Sequence, residues 1–141
     1  MSELNTIRVA AAIISKDGAV LACKRSQGEF AGMWEFPGGK VKEGETAFDA
    51  CRREALEELG AKLSTTYYYD TVEYDYPTFH LSMDCYVCFL AQGEEPQALE
   101  HEEIRWVTQE ELASLTWLPA DQNLVQSLAF AWGTIFATEP F

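Results

Sequence analysis

Positive charge is scarce in this chain of 141 residues, which carries 10 Lys and Arg against 23 Asp and Glu and a formal net charge of −13. Proteins that bind nucleic acids or anionic membranes do so largely by neutralising phosphates with Lys and Arg. The charge balance therefore argues against a nucleic-acid polymer or a membrane surface as partner. A small anionic substrate is compatible with this charge if a divalent cation screens it.

Long apolar runs are also missing. The longest, residues 9–14, falls far short of the roughly 20 residues that a membrane-spanning helix needs. Residues 1–6 have neither the basic start nor the apolar core of a signal peptide, so we expect a cytoplasmic protein. A chain of this length with 48% apolar residues is expected to fold as a single domain over residues 1–141.

A second CxxC pair, which a zinc site of the common kind would need, is absent. The four cysteines are Cys23, Cys51, Cys85 and Cys88. Cys85 and Cys88 lie in a strand-like segment, where positions i and i+3 point to opposite faces. We expect small buried thiols in a reducing compartment rather than a metal or redox centre. The two histidines, His80 and His101, have no partner at a spacing typical of a ligand set and are given no role.

The pattern of apolar residues and turn signals predicts strands and helices in alternating groups. Strands are predicted at residues 7–14, 19–24, 34–36, 65–76, 79–90 and 104–107. Helices are predicted from the cap Thr46 to Leu59, in a short segment after Thr108, and over residues 119–135. Residues 37–39 are predicted as a loop, and Gly60 as the helix-ending glycine. The order indicates an α/β protein with a mixed sheet covered by helices.

The first predicted helix carries an unusual carboxylate cluster. Glu54, Glu57 and Glu58 fall within an arc of about 100° on a helix of ~3.6 residues per turn. Their mutual repulsion and their place near the negative end of the helix dipole both weaken the helix. A solvated acidic face explains such a cluster, and so does a site for Mg²⁺ or Mn²⁺, which prefer hard oxygen ligands.

The surrounding residues favour the cation site. Gly39 is followed by five residues and Glu45, then by seven residues and Arg53–Glu54, and then by residues 55–61 with the sequence ALEELGA. This spacing resembles the Nudix box of hydrolases that cut nucleoside diphosphates linked to another group. The segment Trp34–Lys40, WEFPGGK, is similar to the approach to the box in MutT-like proteins and CTP pyrophosphohydrolases. Ala55 stands where the family more often has a larger aliphatic residue, which bears on local packing rather than on chemistry.

The resemblance implies a Nudix fold, with the mixed sheet sandwiched between helices as α/β/α layers. It also implies Mg²⁺-dependent hydrolysis of a nucleoside triphosphate to the monophosphate and pyrophosphate, with Mn²⁺ as a substitute cation. By the resemblance, the metal ligands are Glu54, Glu57, Glu58 and the carbonyl of Gly38. An Arg53–Glu45 pair would hold the loop against the helix, with an ordinary surface ion pair as the alternative.

The proton acceptor is left open between Glu54 and Glu100, the acid that matches the loop before the strand at Trp106. Glu100 has acidic neighbours in Glu102 and Glu103, so a solvated acidic loop is an equal interpretation. Lys40 is expected to contact phosphate, with an exposed lysine as its alternative.

Positions outside the box match the base pocket of MutT-like proteins: Arg25, Phe36, Tyr76 and Asp121. Phe36 and Tyr76 offer stacking faces, although both also suit a core or a turn. An ionised Asp121 only accepts hydrogen bonds, which favours a donor-rich base edge such as that of cytosine or of guanine, including oxidised guanine. Asp121 is equally suited to cap the last helix.

Two other functions remain open at this stage. One is a Nudix hydrolase of a nucleotide sugar or dinucleotide, and the other is a non-catalytic module that binds a nucleotide or a damaged base. The complete carboxylate set and the net charge favour the hydrolase of a small-molecule nucleotide. Many proteins with this resemblance act as monomers or homodimers, and we expect either state.

Overall fold

The computed structural model of the chain describes residues 4–136. Its seven strands are β1 (Thr6–Lys16), β2 (Ala19–Lys24), β3 (Trp34–Glu35), β4 (Gly38–Lys40), β5 (Leu63–Tyr76), β6 (Phe79–Leu90) and β7 (Glu103–Thr108). The helices are α1 (Ala47–Leu59) and α2 (Pro119–Phe136), with a 3₁₀ turn at Leu112–Ser114. Within these residues no helix is long and apolar enough to span a bilayer.

The seven strands form one mixed sheet, in which five strands follow the order β3-β2-β1-β6-β5 and the other two, β4 and β7, pair outside this path. β1 pairs in parallel with β6 and in antiparallel with β2, but it meets β2 only at Ser15–Lys16. Farther back along β1, Val9, Ala10 and Ala11 pair with β4 instead. Strand β7 pairs with β2. The antiparallel partner of β1 therefore changes along its length, from β4 at Val9–Ala11 to β2 at Ser15–Lys16.

Each face of the sheet is covered by one helix. Alternating side chains of β1 enter two separate clusters of buried apolar residues, with Ile13 on one face and Ile14 on the other. Helix α2 packs on the first face through Leu124 and Leu128, and α1 packs on the second through Leu59. The layers are therefore helix, sheet, helix, as predicted.

Local sequence signals fix the ends of α1. The Thr46 hydroxyl accepts the backbone N–H of Asp49 at 3.0 Å, and Gly60 ends the helix with φ +65°. Ala55, the small residue in the box, is fully buried against the sheet. Cys85 and Cys88 lie in opposite clusters, which confirms the prediction of buried thiols on the two faces of a strand.

Two expectations about local structure were wrong. Gly38 and Gly39, predicted as part of a loop, lie in strand β4, because backbone pairing with β1 overrides the weak strand propensity of two glycines. The predicted helix after Thr108 is only a 3₁₀ turn at Leu112–Ser114. Such turns rarely exceed three or four residues, because their hydrogen-bond geometry is poorer than that of an α-helix.

Candidate functional site

Strand β4 brings the backbone of two glycines against β1 and α1. A Cβ on Gly38 would collide with the carbonyl oxygen of Ala10, and a Cβ on Gly39 would collide with the carboxylate of Glu54. The Gly38 N–H donates to Oε2 of Glu58 at 3.2 Å. The glycine at position 38 is therefore needed for the close approach of β4 to β1, and the glycine at position 39 leaves room for the Glu54 carboxylate.

The three glutamates of α1 do not share one environment. Glu54 and Glu58 line a cleft of about 600 Å³, and Glu58 is buried with 6% of its surface exposed. Glu57 is half exposed and is not among the residues that line this cleft, and its Oε2 lies 3.1 Å from Nη1 of Arg53. Residues 4–136 contain no group of three or more His, Cys, Asp or Glu side chains arranged to hold a metal ion. Within the predicted set, Glu54 nevertheless contacts both other members: it is hydrogen-bonded to Glu58, and it shares Nη1 of Arg53 with Glu57.

Arg53 explains this arrangement. Its guanidinium donates two hydrogen bonds to Glu45, at 2.7 and 2.9 Å, and one to the Lys40 carbonyl at 3.0 Å. Its Nη1 also donates to Glu54 at 2.8 Å. The hydrogen bonds from Arg53 lower the pKa of Glu45 to about 2. The predicted Arg53–Glu45 pair is therefore a bidentate link, and the same guanidinium offsets the charge of Glu54 and Glu57.

The acidic cleft concentrates negative charge around Glu58. Burial raises the pKa of Glu58 well above its ordinary value, and the hydrogen bond and charge of Glu54 add to the rise. Glu35 and Glu100 raise it further by charge repulsion. Glu100, predicted from the loop before β7, is exposed and lines this cleft. Hard carboxylate oxygens crowded in this way fit a divalent cation, which would offset their repulsion.

The predicted base-pocket residues come together around a second cavity of about 260 Å³ on the α2 face of the sheet. The four base-pocket residues Arg25, Phe36, Tyr76 and Asp121 all line it, and so does Lys40, which was predicted to contact phosphate. Most of the remaining lining is apolar, from Ile7, Val9, Phe30, Phe79, Leu81, Met83 and Leu118. A mainly apolar concave site with a few converging polar groups is typical of a small-molecule pocket.

The aromatic residues of this cavity differ in their surroundings. Phe36 is 4% exposed and stacks on Trp117 with ring centroids 4.9 Å apart, so much of its ring packs in the hydrophobic core. Tyr76 stacks on Phe79 at 5.0 Å, and its hydroxyl accepts the Ala120 N–H at 3.2 Å. Lys40 is exposed at the rim of the cavity.

Asp121 is buried on the cavity wall, with 4% of its surface exposed. It lies in the first turn of α2, two residues after the helix begins at Pro119, and its side chain accepts no hydrogen bond from residues 4–136. The helix-cap alternative therefore has no support. Burial, together with the charge of Glu35, raises the pKa of Asp121 to about 8, although Arg25 lowers it. This raised pKa favours the protonated form of Asp121, which both donates and accepts, over the ionised acid expected from the sequence.

Glu35, Arg25 and Gly38 line both cavities, so the two spaces share a wall. Arg25 donates from Nε to Oε2 of Glu35 at 3.2 Å. His101 Nε2 lies 3.4 Å from this same Glu35 oxygen and 3.4 Å from Oε1 of Glu58. Sequence reasoning assigned no role to Glu35 or His101. Glu35 could have been found from the sequence, because it lies inside the WEFPGGK segment. No sequence pattern indicated a role for His101.

Comparison with known proteins supports the family suggested by the box. Residues 4–128 match the family described as NUDIX domain. A relative in Mycobacterium tuberculosis, named putative 8-oxo-dGTP diphosphatase 2, is 39% identical over 127 residues, which cover 89% of each chain. The CTP pyrophosphohydrolase of Escherichia coli is 31% identical over 137 residues, covering 88% of this chain and 92% of that protein.

Solved structures give the same result. The solution structure of the E. coli ORF135 protein has a TM-score of 0.78 at 30% identity and covers 96% of both chains. The MutT NUDIX hydrolase from Burkholderia pseudomallei has a TM-score of 0.77 at 25% identity, covering 86% of this chain and 97% of that one. Nudix hydrolases generally use a divalent metal and act on small nucleotide substrates. With the box, the fold and the family match in agreement, the chain belongs to the Nudix family and is a Nudix hydrolase.

Proposed function

We propose that this enzyme hydrolyses a nucleoside triphosphate to the monophosphate and pyrophosphate with the help of Mg²⁺, or of Mn²⁺ in its place. The observation that carries the proposal is the wall shared by the apolar cavity and the acidic cleft, formed by Arg25, Glu35 and Gly38. A base in the first space would have its phosphates in the second. Residues 1–141 are proposed to act as one domain, since both clusters of buried residues pack on the same sheet.

In the acidic cleft, Glu54 and Glu58 would bind the cation together with the Gly38 carbonyl. Glu57 would join them after exchanging its contact with Arg53 for the cation. A bound divalent cation supplies charge neutralisation for the phosphates and makes a bound water more acidic. Arg53 holds β4 against α1 through Glu45 and the Lys40 carbonyl, which fixes the spacing of these ligands.

Glu100 is the better candidate for the proton acceptor. Glu54 already accepts a hydrogen bond from Arg53 at 2.8 Å, so one of its carboxylate oxygens is occupied. The carboxylate of Glu100 accepts no hydrogen bond within residues 4–136 and lies across the cleft from α1. Glu100 would therefore take the proton of the attacking water, and Lys40 would contact the phosphates from the rim.

In the apolar cavity, Tyr76 and Phe36 would contact the face of the base, and Asp121 its hydrogen-bonding edge. The names of the relatives point to oxidised guanine and cytosine nucleotides as the first candidates. A protonated Asp121 is compatible with either edge, because it offers one donor and one acceptor.

A nucleotide screen tests the proposal. The chain would be incubated with Mg²⁺ or Mn²⁺ and with 8-oxo-dGTP, CTP, dCTP, dGTP, a nucleotide sugar and a dinucleotide, and the products identified by chromatography. We expect monophosphate and pyrophosphate from at least one triphosphate, and no product from the Glu57→Gln variant. Products from the nucleotide sugar or dinucleotide alone would replace the proposed substrate class. Tight binding of a nucleotide without any product would favour a binding module.

A further inference from the structure

His101 lies deeper in the site than its loop position suggests. It precedes β7 by two residues, yet only 6% of its side chain is exposed. The ring reaches the floor of the acidic cleft, where its Nε2 lies 3.4 Å from Oε2 of Glu35 and 3.4 Å from Oε1 of Glu58. One nitrogen therefore faces two carboxylates that belong to different elements.

The other ring nitrogen argues against a purely structural role. Nδ1 of His101 is buried and has no hydrogen-bond partner among residues 4–136, a condition shared there only with the Ser15 hydroxyl. Buried side-chain nitrogens in a structural core normally have partners, because an unsatisfied polar atom is costly. The orientation of the ring thus places Nε2 next to two carboxylates and leaves Nδ1 without a hydrogen-bond partner.

The two carboxylates next to His101 have different tasks. Glu58 is anchored on its other oxygen by the Gly38 N–H at 3.2 Å, so His101 and Gly38 hold it from two sides. Glu35 also accepts a hydrogen bond from Arg25, which lines the apolar cavity. A continuous chain of contacts runs from Arg25 through Glu35 and His101 to Glu58, linking the two cavities.

We propose that His101 is a positioning residue that holds Glu58 for the cation and Glu35 for the nucleotide side, and so couples the two halves of the site. The inference rests on the proposed function for its meaning in catalysis. It requires only that Nε2 carry a hydrogen toward the two carboxylates. No bond is made or broken at His101.

The test compares His101→Leu and His101→Gln in the full chain. Leucine fills a similar space but removes the donor, whereas glutamine places an N–H near the position of Nε2. Mn²⁺ affinity without nucleotide, kcat and KM, and Tm would be measured for each variant, with His80→Leu as the matched control. His80 contacts Asp75 and Glu73 on the β5–β6 edge of the sheet and lines neither cavity.

We expect His101→Leu to weaken Mn²⁺ binding and to lower kcat by about 10–100-fold each, with the fold intact. His101→Gln should recover most of both, and His80→Leu should change neither. Unchanged Mn²⁺ affinity in His101→Leu would overturn the proposal, as would equal losses of affinity and Tm in both His101 variants. A wild-type chain that binds Mn²⁺ but cleaves no triphosphate would overturn the proposed function. The Mn²⁺ affinities of the variants would still test the role of His101. A wild-type chain that binds no Mn²⁺ would overturn both.

Coupling has a signature of its own. If His101 places Glu35, then Glu35→Gln should change kcat/KM less in the His101→Leu background than in the wild type. Additive effects of the two substitutions would show that Glu35 and His101 act separately, which contradicts the proposed link.

Discussion

The Arg53 guanidinium donates two hydrogen bonds to the Glu45 carboxylate, from Nε at 2.7 Å and from Nη2 at 2.9 Å. This pair joins the segment before α1 to the middle of the helix. A lysine cannot reproduce the fork, so Arg53→Lys should lower both Tm and kcat, the latter by at least about tenfold. Steady-state kinetics and thermal denaturation check this.

The neighbouring arginine supplies a control. Arg52 donates to the Leu63 and Ser64 carbonyls, on the side of α1 away from the cleft. Arg52→Lys should therefore lower Tm without lowering kcat. Equal losses of kcat in the two variants would contradict the specific role of Arg53.

Replacing the ionisable group of Glu58 should separate stability from activity. Burial and three neighbouring carboxylates raise the pKa of Glu58 to about 9, so at neutral pH the folded chain must hold a proton that the unfolded chain has lost, and this costs stability. Glu58→Gln removes this cost and should stabilise the chain in the presence of a chelator by about 1–2 kcal/mol, or roughly 3–8 °C in Tm. The same variant should lose activity. Glu57→Gln should also lose activity but leave Tm nearly unchanged, because the Glu57 side chain is half exposed. A Tm of Glu58→Gln below that of the wild type, measured by calorimetry with chelator, would contradict this prediction.

A methyl group at position 39 should disturb the cleft without touching the substrate. In Gly39→Ala the new Cβ would collide with the Glu54 carboxylate, so Mn²⁺ affinity should fall. Gly133→Ala is the matched control, since Gly133 lies in α2 with open space around it and should gain up to about 1 kcal/mol of stability. Mn²⁺ titration of both variants checks the prediction, and unchanged affinity in Gly39→Ala would refute it.

Asp121 should make stability depend on pH. Burial raises its pKa from 3.8 to about 8, so between these values the folded chain holds a proton that the unfolded chain has lost. This contribution to stability is full below about pH 4 and disappears as pH rises through about 8. Asp121→Asn removes the titration, so its Tm relative to the wild type should rise from pH 5 to pH 9. Thermal denaturation across this range checks it, and a constant difference in Tm would contradict it.

Glu100 should be distinguishable from its acidic neighbour. Glu100→Gln should lower kcat by about 10²–10⁴-fold with little effect on KM, as expected for a proton acceptor. Glu102 pairs with Lys24 at 3.0 Å and does not line the cleft, so Glu102→Gln should behave as the wild type. A larger loss of kcat in Glu54→Gln than in Glu100→Gln, with Mn²⁺ affinity retained in both, would move the role to Glu54.

The predictable parts of this protein are those encoded by neighbouring residues. The cap at Thr46 and the end at Gly60 follow from side-chain and backbone chemistry within a few positions. The contact between Glu57 and Arg53 was not predicted, because helix periodicity fixes where a side chain starts and not which partner it contacts. The contact of His101 with Glu35 and Glu58 depends on three distant segments meeting, which no local pattern reports.

The shared wall between the two cavities has a practical consequence for inhibition. A compact, uncharged compound that fills the 260 Å³ apolar cavity would press against Arg25 and Glu35, the same side chains that border the phosphate side. Such a compound would compete with the nucleotide without imitating its phosphates or chelating its cation. Ligand discovery for this enzyme can therefore begin with neutral heterocycles that cross cell membranes, rather than with nucleotide mimics that do not.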